Sequence, residues 1–282
     1  MRRAAAPTPA RVPAGAARRA LAVAAVGLAL AASCAPHRLA PPALTAQARE
    51  VSFRAALARR EALGRAVDAE VTLWARRGRS GPWRGVTGVL SLAAPDACRL
   101  RVASMFGTAI DVAARGDSLV ALLPARHLGV VADAARDVPA LRRTGSIGVR
   151  AFGALWRPPD AAWKAGTWSD DRLTLRWAEA GDSLRLVIGP DGLPHSVTLA
   201  RGDSVEVRVA YGKWMRREGA AWPSAIELGD RDGVLGVRCR VERARFRPEP
   251  DAARLAVRLP AGTDSLDWPG FRRVLEGLEE LK

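Results

Sequence analysis

The chain has 282 residues, with 44 basic and 29 acidic side chains that give a formal charge of +15. Such a charge suits anionic lipid headgroups or nucleic acid. The arginines are scattered singly, however, which is typical of solvated strand faces, and no RNA-recognition signature surrounds the tryptophans. We therefore expect no nucleic-acid partner. The length allows one large domain or two small ones.

Residues 1–33 have the pattern of a secretory signal. Five arginines precede the apolar run 20–33, which is short for a bilayer span, and small residues stand directly before Cys34. Removal of 1–33 takes away these five arginines and no acid, so the formal charge falls from +15 to +10. The residues before Cys34 resemble the lipobox of bacterial lipoproteins, which implies acylation of Cys34. The alternative is an ordinary cleaved signal.

The next segment, 34–46, is rich in proline and alanine and is suited to a flexible tether. Strong helix formers follow over 47–68 and predict one amphipathic helix with Phe53 on its apolar side. A second helix is predicted over 269–281, within a C-terminal helical tail at 261–282, because its apolar residues share one face.

Between these helices the apolar residues recur with a period of two, which predicts about eleven strands in a domain at 47–260. The first five are predicted at 69–76, 83–92, 97–104, 108–114 and 118–124. A mixed, more helical region at 132–157 precedes the other six, at 172–178, 183–188, 195–200, 204–211, 222–229 and 234–246. Short connections of turn residues predict antiparallel meanders. The fold class is therefore α+β.

The letters GDSL at 116–119 head a large class of serine hydrolases. The triplet Gly-Asp-Ser occurs three times here, each time between two predicted strands, where glycine and aspartate favour a turn. A nucleophilic serine also needs a base within reach, and the sequence lacks the Asp-x-x-His pair that this class carries near its C-terminus. We interpret Ser118 as the start of a strand and predict no catalytic residue, metal or cofactor.

Two cysteines, Cys98 and Cys239, remain after Cys34, and both stand in alternating segments on the apolar side. A disulfide between them and two separately buried thiols are both open interpretations.

Apolar side chains of neighbouring predicted strands fall on one face and predict a continuous apolar surface of Leu90, Leu100, Val102, Ile110, Val112, Leu119 and Leu123. This surface is either an ordinary core between sheet and helices or the lining of a cavity for acyl chains.

Segments 98–123, 137–156, 194–214 and 221–246 resemble LolB, the outer-membrane lipoprotein receptor, in a pattern shared with LolA-like carriers. The resemblance implies an unclosed antiparallel half-barrel with helices covering an apolar concave face. In that family an apolar residue in the bend between the third and fourth strands helps to place lipoproteins in the membrane. The matching position is Phe106, beside Met105, and both are predicted to contact the membrane; the alternative is that Phe106 folds back onto the core.

Together these observations predict a lipid-anchored outer-membrane protein that faces the periplasm. It would bind acyl chains of lipids or lipoproteins in its cavity and help to place them in the outer membrane, without enzymatic chemistry. The implied partners are outer-membrane lipids, a LolA-like carrier or lipoprotein clients, and we expect a monomer. The alternative is a structural or assembly lipoprotein of the envelope with no transferable ligand.

Overall fold

The computed structural model describes residues 45–78, 80–105, 107–137, 144–201, 205–230 and 235–280. These residues form one fourteen-stranded sheet that is antiparallel throughout except at one edge. The strand order is β14-β6-β5-β4-β3-β2-β1-β13-β12-β11-β10-β9-β8-β7. The two outermost strands, β14 and β7, do not pair with each other, so the sheet is unclosed.

The sheet is built from two meanders of consecutive strands. The first comprises β1 Ala66–Arg77, β2 Arg84–Ala93, β3 Ala97–Ser104, β4 Gly107–Arg115, β5 Ser118–Leu123 and β6 Leu128–Asp133. The second comprises β7 Thr167–Ser169, β8 Arg172–Glu179, β9 Asp182–Ile188, β10 Pro194–Arg201, β11 Val205–Arg217, β12 Ala220–Asp230 and β13 Leu235–Arg247. Antiparallel pairing of β1 with β13 joins the two meanders.

Most of the helices lie on the apolar face of this sheet, which we call the concave face, or on its rims, and the short helix at Ala252–Leu255 lies against the outer face beside Arg99. Their bounds are α1 Ala46–Leu63, α2 Ala134–Asp137, α3 Thr144–Gly153, α4 Asp160–Lys164, α5 Ala252–Leu255 and α6 Trp268–Glu280. The side chain of Thr45 caps α1 by accepting a hydrogen bond of 3.2 Å from the amide of Ala48. No helix among the described residues has the length and apolar character needed to cross a bilayer.

The predicted α+β class, the unclosed antiparallel sheet and the first five strands are confirmed, but the sequence did not predict three further strands. Two of them, β7 and β14, have three residues each, and the third is β6. The first helix ends at Leu63 rather than at 68, because the chain from Ala66 onward pairs on both sides, with β2 and with β13. The predicted turn at Gly116-Asp117 is confirmed, with β5 starting at Ser118. The triplet at 202–204 lies outside the described residues.

The tail after β13 passes around one edge of the sheet. On the outer face, Arg99 forms a bidentate ion pair with Asp111, at 2.5 and 2.8 Å, and also donates to the carbonyl of Ala256 at 2.9 Å. Strand β14 then pairs in parallel with β6 and covers that edge. Helix α6 returns to the concave face, where Phe271 is buried. The tail is therefore integrated into the sheet.

Both cysteines are free thiols on the concave face, where Cys239 is buried in the larger core cluster and Cys98 is half-buried against it. Burial raises the pKa of the Cys98 thiol to about 11 and that of the Cys239 thiol to about 12. The thiolate is the reactive form, so both cysteines are protonated and unreactive at neutral pH.

We predict that Cys98 and Cys239 resist alkylation by iodoacetamide at pH 8 in the folded protein and react fully in denaturant. Cys239 is buried and Cys98 is half-buried, so access is restricted most at Cys239, and the raised pKa values leave little thiolate at either residue. Peptide mass spectrometry of each cysteine measures the modified fraction. Rapid, complete labelling of either residue in the folded protein would contradict this placement.

Candidate functional site

The seven residues predicted to form one apolar surface share the concave face. Leu100 pairs with Leu90 on one side and with Val112 on the other, so these three form one row across β2, β3 and β4. Val102 pairs with Ile110 in the next row. On β5, Leu119 and Leu123 fall on the same face as Ala121, which pairs with Val112. The strand register thus brings the seven residues together.

The chain's own helices and an irregular segment cover this surface. Leu90 belongs to the larger core cluster, with Phe53 of α1 and Trp156, and Leu100 packs against that cluster. Leu119 and Leu123 belong to a second cluster with Phe271 of α6. Ile110 and Val112 pack against the second cluster and stay half-buried. Most of the predicted surface is therefore packed as protein core.

A cavity of about 530 Å³ opens at one end of the concave face, between the end of α1, the β2–β3 turn and α3. We call it the mouth cavity. Its lining comprises Glu61, Ala62, Arg65, Ala94, Pro95, Ser146, Val149, Arg150, Leu155 and Arg157. Val149 and Leu155 form an apolar floor that belongs to the same core cluster as Leu90. The mouth cavity therefore adjoins the predicted surface without being lined by its seven residues.

Ion pairs organise the rim of the mouth cavity. Arg150 donates two hydrogen bonds to Glu179, at 2.6 and 2.9 Å. Arg157 pairs with Glu61 of α1, and this hydrogen bond raises the pKa of Arg157. The Arg65 guanidinium has no ion-pair or hydrogen-bond partner among the described residues. The rim is thus basic, and two of its three arginines are neutralised.

A second cavity of about 270 Å³ lies on the other side of the Arg157–Glu61 pair. Both residues line both cavities, so the pair forms a shared wall. In the second cavity, Phe53 and Trp163 meet edge to face with ring centroids 5.4 Å apart.

The segment that forms the floor is fixed by a buried hydrogen-bond chain. The indole of Trp156 donates to the Tyr211 hydroxyl at 2.7 Å, and that hydroxyl donates to the Ala151 carbonyl at 2.9 Å. Burial raises the pKa of Tyr211, which keeps the phenol protonated as a donor. These two hydrogen bonds fix the end of α3 to β11.

Helix α1 buries two arginines beside its apolar residues. Arg49 stacks on Trp168, 4.4 Å from the ring centroid, and donates to the carbonyl of Asp171. Arg60 is 0% exposed, and none of its side-chain nitrogens has a hydrogen-bond partner. Its guanidinium lies 5.5 Å from the centroid of Trp214, and burial lowers its pKa to about 10. We therefore expect Arg60 to lower stability, because a buried cation without a hydrogen-bond or ion-pair partner is costly and a single aromatic face compensates only part of that cost.

The predicted membrane-contacting residues stand in the β3–β4 hairpin. Met105 is 87% exposed. Phe106 lies outside the described residues, and so does the predicted acylation site Cys34. Both assignments remain predictions.

Sequence reasoning did not identify the mouth cavity, because four separate chain segments contribute to it. The one local signal was the run RAFGALWR at 150–157, in which two arginines flank apolar residues.

No family model matches the chain, and no curated protein matches it in sequence. Among solved structures, a LolA superfamily protein from Nitrosomonas europaea is similar, with a TM-score of 0.50 at 9% identity, over 73% of this chain and 97% of that protein. A DUF1329 family protein from Desulfovibrio piger has a TM-score of 0.47 at 8% identity, over 73% of this chain and 96% of that one. The Nitrosomonas likeness shows a shared half-barrel fold. A specific relation to LolB stays a prediction.

We predict that Arg60→Met stabilises the folded protein by about 1–4 kcal/mol, since methionine fills a similar space and removes the unpaired buried charge. Urea unfolding followed by tryptophan fluorescence measures the change. Arg59→Met is the matched control, because Arg59 is exposed on the same helix, and it should change stability by less than about 0.5 kcal/mol. A loss of stability in Arg60→Met alone would show that Arg60 is compensated.

Proposed function

We propose that this protein is a lipid-anchored outer-membrane protein that faces the periplasm and binds acyl chains of lipids or lipoproteins. The observation that carries the proposal is the mouth cavity, an opening of about 530 Å³ whose floor of Val149 and Leu155 joins the core of the half-barrel. This volume falls in the range of small-molecule sites, roughly 300–1,000 Å³. The fold shared with a LolA superfamily protein, together with the sequence resemblance to LolB, motivates the choice of ligand.

Binding and release would follow from differences in affinity alone. Each methylene removed from water contributes about 0.8 kcal/mol, so a chain moves to whichever site shields more of it. The protein would accept a chain from a LolA-like carrier or a lipoprotein client and pass it to the outer membrane. No covalent step is required, and we propose that the protein is not an enzyme.

The anchor and the membrane contact come from two different parts of the chain. Acylation of Cys34 would hold the protein at the membrane, because several acyl chains together bind stably where one does not. The exposed Met105 in the β3–β4 hairpin supports a second, weaker contact. Covering such an exposed apolar side chain with a bilayer interface removes it from water and lowers the free energy of the bound state.

A second candidate function is a structural or assembly lipoprotein without a transferable ligand. It is favoured by the dense cover of the concave face, where Phe53, Trp156 and Phe271 are each 0–2% exposed. Under this alternative the mouth cavity is a surface depression. Lipid extraction and mass spectrometry of the purified protein separate the two candidates, because only a lipid-binding protein retains stoichiometric lipid.

We predict that Ala62→Trp weakens binding of a dansylated C11 fatty acid at least tenfold, because the indole fills the mouth cavity from the exposed side of α1. Fluorescence titration gives the dissociation constants. Ala55→Trp is the control, an exposed alanine of the same helix that does not line this cavity. Equal affinities for the two variants would exclude the mouth cavity as the binding site.

For the hairpin, we predict that Met105→Glu lowers binding of the non-acylated Cys34→Ser protein to lipid vesicles by about tenfold, because a charge replaces an apolar contact. Vesicle co-flotation measures the bound fraction. Val131→Glu serves as the control, since Val131 is 61% exposed on β6. If both variants float equally well, the hairpin has no role in membrane contact.

A further inference from the structure

The charges at the mouth cavity are unbalanced next to an apolar floor. Three arginines and one glutamate line the cavity. Glu61 is engaged by Arg157, and Arg150 is neutralised by Glu179, which does not line the cavity. Arg65 is left as a cation without a partner among the described residues. A ligand bound here would therefore meet one uncompensated guanidinium.

The backbone holds Arg65 at the rim of the cavity. Arg65 stands between the end of α1 and the start of β1, and its carbonyl accepts a hydrogen bond of 3.1 Å from the amide of Ala94. Ala94 also lines the cavity, so this bond fixes the Arg65 backbone against the β2–β3 turn. The side chain remains exposed and can reach a group at the entrance.

The rim also offers a neutral hydrogen-bond donor. Ser146 of α3 lines the mouth cavity, and its hydroxyl has no partner among the described residues. A guanidinium and a hydroxyl at the entrance, with Val149 and Leu155 below them, match an amphiphile that has an oxyanion head and one apolar chain. Guanidinium pairs with carboxylate and phosphate oxygens through two parallel hydrogen bonds, which makes the contact selective for such heads.

We propose that the mouth cavity selects single-chain amphiphiles with an anionic oxygen head, a carboxylate or a phosphate, through pairing with Arg65. The proposal rests on the acyl-chain binding proposed above and narrows its ligand to free single-chain lipids, because the acyl chains of a lipoprotein carry no carboxylate or phosphate head. The acyl chain of the ligand packs on Val149 and Leu155, and Ser146 donates a further hydrogen bond to the anionic headgroup. The ion pairs of Arg150 and Arg157 hold the rim in shape.

The test compares three twelve-carbon probes by isothermal titration with the full-length mature protein. The probes are lauric acid, dodecyl phosphate and the neutral 1-monolauroylglycerol, each below its aggregation concentration. We expect both anionic probes to bind at least about tenfold more tightly than the neutral one, as a charge-assisted hydrogen bond predicts. The ratio between lauric acid and dodecyl phosphate shows which oxyanion the site prefers.

Arg65→Gln should abolish the preference by weakening the anionic probes to the affinity of the neutral probe, which itself should be unchanged. Arg59→Gln, with the same loss of charge on an exposed position of α1, should retain the preference. Inorganic phosphate and acetate serve as free-anion probes and should not bind measurably.

Three results would overturn the proposal in distinguishable ways. Equal affinity for all three amphiphiles would remove the headgroup selectivity and leave acyl-chain binding intact. If inorganic phosphate bound as tightly as dodecyl phosphate, the site would bind the anion alone, without a contribution from the acyl chain. Absence of binding by every amphiphile would overturn both this inference and the proposed function.

Discussion

The pairing of β1 with β13 joins two meanders into one curved sheet, and the apolar face of that sheet has to be shielded from water. An unclosed sheet cannot bury this face against itself. Three parts of the chain cover it instead, namely α1 with Phe53, the segment up to Trp156, and α6 with Phe271. The need to shield the apolar face from water therefore accounts for the placement of these helices and the tail. The mouth cavity lies where they no longer cover that face.

The helices that cover the concave face are held on the sheet by different interactions. The Trp156–Tyr211–Ala151 hydrogen-bond chain satisfies its polar groups and fixes the end of α3 on the sheet. Helix α1 is held differently, because Arg49 and Arg60 occupy half of its buried stripe and Arg60 has no hydrogen-bond partner. Moving α1 away from the sheet would hydrate both guanidinium groups, which offsets part of the lost apolar contact. Helix α1 therefore gains less free energy from its contact with the sheet than a helix with an all-apolar buried stripe would.

Sequence periodicity predicted the sheet well wherever one face of a strand is apolar, as for Leu100 and Val102 of β3. It failed where tertiary contacts decide the structure. The helix-forming run continued beyond Leu63, but pairing of Ala66 on both sides converts it to strand. The sequence Asp264–Leu266 has little strand character, and β6 makes it a strand by parallel pairing. The mouth cavity combines residues separated by up to 96 positions, from Glu61 to Arg157, so local pattern could not locate it.

The proposed function depends on entry of an apolar chain into the half-barrel through the mouth cavity. Paramagnetic relaxation by a doxyl-labelled stearic acid tests it most directly, with NMR detection of methyl groups in the selectively labelled protein. We expect the methyl signals of Val149, Leu155 and Ala62 to broaden first, and unlabelled stearic acid to reverse the effect. Broadening confined to the exposed Val51 and Val131, or no broadening at all, would contradict it.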